Sequence, residues 1–201
     1  LKQALAVAKQ GVELAEKSGN SFRRLYERTT LADALHQAGR LPEAATEFRA
    51  AETLQQEWQP PFPLIYGYQG FRYCDLLLSQ GQPQETLDRA TKLLKEGESN
   101  DPLLDLALYK LALGSAHLGL AQQTDGNAPD APAQHLAQAA GWLQRAVDGL
   151  RQAGQQDDLP RGLLARAALI SRFCSAIRSC SASALTGAMK PRHSKLTFAS
   201  A

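Results

Sequence analysis

The 201-residue chain lacks the short motifs that announce chemistry. It has no Gly-rich phosphate loop, no paired zinc-ligand spacing and no His-x3-His helix, which leaves no sequence signal for a nucleotide site, a zinc module or a helical metal site. Its four histidines, His36, His117, His135 and His193, are scattered. Its three cysteines, Cys74, Cys174 and Cys180, are too few for a disulfide framework. β-Branched residues are scarce and Ala and Leu dominate the apolar set, so an all-α class is expected. Long uninterrupted apolar runs are missing as well. The best candidate, Leu103 to Ala121, carries Asp105, Lys110 and His117 in the broken pattern of an amphipathic helix, with Asp101 and Pro102 suited to its N-cap and first turn. No membrane span is expected, and no secretory signal is visible.

Acidic residues are missing after Asp158, whereas Arg172, Arg178, Lys190, Arg192 and Lys195 lie in residues 171–201. Removing those five from 22 basic residues leaves 17 against 20 acids, so residues 1–170 carry about −3 and the formal net charge of +2 comes from the tail. A nucleic-acid binder would carry a basic stripe on its folded part. None is expected here.

What is present is a repeat. Leu31, Ala32, Leu35, Gly39, Ala44, Phe48 and Ala51 recur 42 residues later, at identical offsets, as Tyr73, Cys74, Leu77, Gly81, Thr86, Ala90 and Leu93. Spacings of three and four on either side of each glycine give one buried helical face before it and another after it. Gly39 and Gly81 stop the first helix, because glycine takes the left-handed conformation at low cost. Pro42 and Pro83 then suit a first helical turn. Small residues such as Ala32 and Ala44 let paired helices approach, and Cys74 at such a position is expected to be a buried, inert thiol.

These residues resemble the tetratricopeptide repeat, with its large residue, small pair, turn glycine and Ala–aromatic–Ala string; residues 25–58 match best. Equivalent final residues Gly11, Ala51, Leu93 and Ala146 are separated by 40, 42 and 53 positions. A period near 40 is similar to the long-helix variety found in kinesin light chains and in the sensor arms of bacterial signalling ATPases. The third copy holds Leu113, Gly114 and His117, then Ala139, Leu143 and Ala146. Its turn, His117 to Ala139, is 13 positions longer than Leu35 to Ala44, and the inserted stretch Thr124 to Ala133, rich in Asp, Gly, Asn and Pro, reads as a surface loop. Thr86 and, early in the first helices, Arg28 and Gly70 depart from the family pattern.

The resemblance implies an α-α superhelix of antiparallel helix pairs over residues 1–170. It comprises a partial first repeat, repeats near 25–58, 67–100 and 103–150, and the start of a fourth at 160–170. Leu1, Ala4, Leu5 and Ala8 look like the second helix of an earlier repeat, so the chain reads as a piece of a longer protein. Residues 171–201 form an atypical basic Ser/Ala-rich tail with two readings, a disordered segment or a shifted reading frame. Trp58, followed by Gln59, Pro60, Pro61, Phe62 and Pro63, reads either as an extended connector or as a binding loop.

By the same resemblance, the first helices line a concave groove. Its partner-binding positions are Tyr26, Thr29, Asp33, His36, Gln37, Tyr68, Phe71, Asp75 and Ser79, followed by Leu108, Leu111, Ser115 and Leu118. Tyr68, Phe71, Leu108 and Leu111 have a second reading, as packing against the next repeat. His117 is expected to be a packed helix residue. Family members that clamp a terminal carboxylate use Lys and Asn on this face, whereas Asp33 and Asp75 would repel one. A noncatalytic scaffold for a peptide or helix, with a basic partner favoured and no cofactor or metal, is the leading expectation. The alternative is a regulatory arm of a larger bacterial signalling ATPase or transcription regulator. Cytoplasmic residence is expected for either.

Overall fold

The computed structural model describes residues 1–123, 131–154 and 156–187. The described residues are all-helical, without strands. The elements are α1 Lys2–Ser18, α2 Ser21–Gln37, α3 Leu41–Trp58, α4 Gly67–Ser79, α5 Pro83–Gly97, α6 Leu103–Gln123, α7 Ala131–Gln152 and α8 Leu159–Gly187. Apart from α3 and α4, joined by a longer connection and a smaller contact, consecutive helices pack closely; α2 also meets α4, α4 meets α6 and α6 meets α8. Contacts to the next helix and to the next but one are compatible with an α-α superhelix.

The two turns that define the repeat are built alike. Gly39 and Gly81 both have φ of 73°. The Arg40 N–H donates to the Leu35 carbonyl and the Gln82 N–H to that of Leu77, each at 2.9 Å. Gly39 and Gly81 donate one step further along, to His36 and Leu78. This Schellman pattern satisfies carbonyls that the helix end would leave unpaired. Pro42 and Pro83 follow in the first turns of α3 and α5.

Burial follows the repeated offsets. Leu31, Ala32, Leu35, Ala44, Phe48 and Ala51 are buried, and so are Tyr73, Cys74, Leu77, Thr86, Ala90 and Leu93. Phe48 and Tyr73 stack with ring centroids 4.7 Å apart, linking one repeat to the next. Each fully buried leucine or phenylalanine, such as Leu76, Leu113, Leu143 or Phe48, contributes about 1.5–3 kcal/mol relative to exposure. The departures from the family pattern have local reasons. The Thr86 hydroxyl donates to the Gln82 carbonyl at 3.0 Å, so a polar residue fits where alanine is usual. Arg28 bridges Glu16 of α1 and Glu47 of α3. A Cβ at Gly70 would lie 2.4 Å from the Ile65 carbonyl oxygen, which excludes an aromatic there.

Several boundaries differ from the sequence reading. Ala131 to Ala133 belong to α7, because Ala favours helix and Pro132 sits in its first turn; the rest of the expected loop, 124–130, lies outside the described residues. Helix α8 runs through residue 170 to Gly187, in a segment rich in Ala with no proline until Pro191. Residues 188–201 lie outside the described residues. The Asp101 carboxylate, just before α6, accepts from the Tyr109 hydroxyl at 3.3 Å. Helix α6 is long and apolar enough to cross a membrane by composition, yet half of that stretch is buried against its neighbours.

Candidate interaction surface

Antiparallel packing of α2 on α3 and the contact of α2 with α4 bring the expected groove residues together. Tyr26, Thr29, Asp33 and Tyr68 line one cleft of about 210 Å³, with Thr30, Gln69 and Arg72. Thr29 is its floor rather than a contact point: it is 2% exposed and its hydroxyl donates to the Tyr26 carbonyl at 2.7 Å. Phe71, Leu108 and Leu111 are buried in the core, in line with their packing reading, and Leu118, expected only in the groove, is buried there too. Tyr68 is half-buried and Gln37 is exposed. His36 Nε2 lies 2.8 Å from Ser79 Oγ, joining α2 to α4, and the Ser79 hydroxyl also reaches the Asp75 carbonyl.

The two acids that were expected to attract a basic partner already hold arginines. Asp33 pairs with Arg72 of α4. Asp75 pairs with Arg161 of α8 at 3.1 Å, and Arg161 also approaches Asp158 at 3.8 Å. Tyr68 links these pairs: its hydroxyl accepts from Arg72 at 2.9 Å and points at Asp158 Oδ1 at 3.4 Å, while the guanidinium lies 4.7 Å above its ring. Burial works against the charge on Arg72, but the hydrogen bond and charge of Asp33 and the Tyr68 hydroxyl together outweigh it and raise the pKa. The face is therefore closed by its own ion network. Asp33 Oδ1 and His36 Nδ1 remain buried without a hydrogen-bond partner.

A second cleft, of about 220 Å³, adjoins the first and shares Tyr26 and Gln69 with it. It is aromatic. Phe22 of α2, Trp58 at the end of α3 and Tyr66 before α4 line it, and Phe62 lines a neighbouring cleft with Tyr66. Together with Tyr26, these five rings are each 41–55% exposed. Phe22 lies with its centroid 6.0 Å from both Tyr26 and Trp58. The loop beneath is pinned: Gln55 donates to Gln59 Oε1 and to the Phe62 carbonyl, Tyr66 donates to Gln59 Oε1, and the Ile65 N–H donates to Glu52.

Trp58 to Pro63 carried a binding-loop reading and Tyr26 a groove position; Phe22 and Tyr66 were not among the expected positions, although a signal existed for Phe22. Phe22 and Trp58 lie 17 and 19 residues on either side of Gly39, and residues at nearly equal distances from the turn of an antiparallel pair come to the same end of it. The histidines are less scattered than their positions suggest. His117 and His135 face each other across α6 and α7 with Nδ1 atoms 3.0 Å apart. Burial first, then the neighbouring ring, lowers the pKa of His117. Among the described residues no group of three or more His, Cys, Asp or Glu side chains is placed to hold a metal ion. Cys74 is wholly buried, and that burial pushes its thiol up to about 12. No family model, no curated protein and no solved structure matches the chain.

Proposed function

We propose that the chain is a noncatalytic protein-interaction module whose α2–α4 face holds an extended segment of a partner protein. The observation that carries this reading is the pair of adjoining clefts that share Tyr26 and Gln69, one polar and one aromatic. Each is smaller than the roughly 300–1,000 Å³ usual for a small-molecule site. A chain laid across both would use the rings as anchors and the polar cleft for orientation. Asp33 and Asp75 supply no free negative charge, so the reading places the binding energy on the aromatic side chains.

Peptide selection from a displayed library against the folded chain tests this. Enriched sequences whose binding falls at least tenfold in Tyr26→Ala support it, since anchors of this type commonly exceed about 1.4 kcal/mol. Binders that are indifferent to Tyr26→Ala, or no enrichment at all, would remove the face from consideration.

A further inference from the structure

The aromatic ledge specifies the chemistry of its occupant more closely than the module reading on which this inference rests. No side chain lining its cleft is charged. At 150–250 Å² for a whole aromatic side chain, the four half-exposed rings that line it present roughly 400 Å² of aromatic surface, within the range of the largest patches found on monomeric proteins. Two polar groups there are uncommitted. The indole N–H of Trp58 and the hydroxyl of Tyr26 have no hydrogen-bond partner among the described residues, whereas the Tyr66 hydroxyl is held by Gln59. Free donors beside apolar rings call for a ligand rich in acceptors and poor in N–H groups. A proline-rich segment is that ligand, because proline keeps its carbonyl and lacks the amide hydrogen.

Phe22 touches both Tyr26 and Trp58, each at a ring-centroid distance of 6.0 Å, so the three rings form one contiguous surface. A proline-rich segment is already extended as polyproline II before it binds. Neither ligand nor ledge has much entropy left to lose, since the peptide is already extended and the loop from Gln59 to Ile65 is pinned by Gln55, Tyr66 and Glu52. A charged segment would have to give up its hydration against a cleft with no counter-charge. We propose that this ledge docks an uncharged, proline-rich segment of a partner protein in the polyproline II conformation, with Phe22, Tyr26 and Trp58 as the anchoring rings.

The test uses the full chain carrying Trp142→Phe, so that Trp58 alone reports, titrated with acetylated, amidated decaproline. The expected result is a saturable change in Trp58 emission with a dissociation constant in the micromolar to submillimolar range. An equally long Gly-Ser peptide is expected to give none. Phe22→Ala and Tyr26→Ala, both at exposed positions, are each expected to weaken binding at least tenfold with unchanged circular dichroism. A flat titration with decaproline, while a library-selected peptide still binds through Tyr26, would overturn the proline-rich assignment and leave the module reading intact. If neither peptide binds, both readings fall. Sedimentation showing self-association that buries Trp58 would make a second copy the occupant, and would also overturn the proposal.

Discussion

Arg89→Met asks how firmly the ledge is supported from below. Arg89 donates to both oxygens of Glu52, at 2.8 and 2.6 Å, with the two side chains 7% and 14% exposed. The guanidinium also lies 4.2 Å above the Tyr73 ring. Burial opposes its charge, but the hydrogen bonds and charge of Glu52 prevail and its pKa is raised. Glu52 Oε1 additionally accepts the Ile65 N–H at 3.1 Å, which fixes the chain entering α4. In Arg89→Met the methionine keeps much of the packing, but a buried carboxylate loses its cation. Breaking such a pair from one side costs about 3–5 kcal/mol, and the retained packing and the Ile65 contact place this case near 3. For a chain of this length that is about 6–12 °C in melting temperature. Adding Glu52→Gln removes the second charge and keeps an acceptor for Ile65. The double variant is therefore expected to be more stable than Arg89→Met alone. Urea unfolding followed by far-UV circular dichroism and by tryptophan emission gives the free energies if the two transitions coincide, a check that matters in a repeat array. A loss under about 0.5 kcal/mol in Arg89→Met, or a double variant less stable than the single, would refute the reasoning.

Three further outcomes follow from the core and its titrating groups. Gly114→Ala places a Cβ 2.6 Å from the Leu143 side chain at the α6–α7 contact and is expected to cost about 1–3 kcal/mol in urea unfolding, where an ordinary exposed helical Gly→Ala would stabilise. Cys74, pushed up to about 12, is expected to resist alkylation in the native chain at mildly alkaline pH and to react once urea unfolds it. Its contribution to stability is complete below the unfolded thiol value of about 8.5 and is lost as pH rises toward 12. Asp105 is raised to about 6 by burial and by Asp101, so its contribution is present below about pH 3.9 and is lost as pH rises through 6. Asp105→Asn is accordingly expected to stabilise by about 1–2 kcal/mol at neutral pH and to lose that gain near pH 4, as read from melting temperatures across the range.

The helical class and the buried offsets could be read from sequence because they are one-dimensional. A three-to-four period around Gly39 and Gly81 dictates which faces are apolar, and every apolar member of both copies is buried. Pairing is a different matter. Arg72 neutralises Asp33 from the next helix pair, and Arg161 reaches Asp75 from 86 residues away, so the charge of the groove face depends on tertiary neighbours that no local pattern names. Thr29 and Phe71 occupied groove positions by analogy, but their burial is decided by how closely α2, α4 and α6 approach. Trp58 and its prolines stood out as a loop. What gave them company was the hairpin geometry of α2 and α3, which returns Phe22 to the same end. The division expected at residue 170 rested on composition and on the end of the repeat pattern, whereas α8 spans that position because Ala, Leu and Arg continue a helix whether or not they continue a repeat.

The proposal stands or falls on whether the α2–α4 face with its aromatic ledge receives a partner segment. Amide and indole chemical-shift mapping of the full chain against a bound, library-selected peptide tests it most directly. The account predicts perturbations centred on Phe22, Tyr26, the Trp58 indole, Tyr66 and Gln69, with α5 and α7 unmoved; shifts confined to α6 and α7, or spread evenly over the chain, would contradict it.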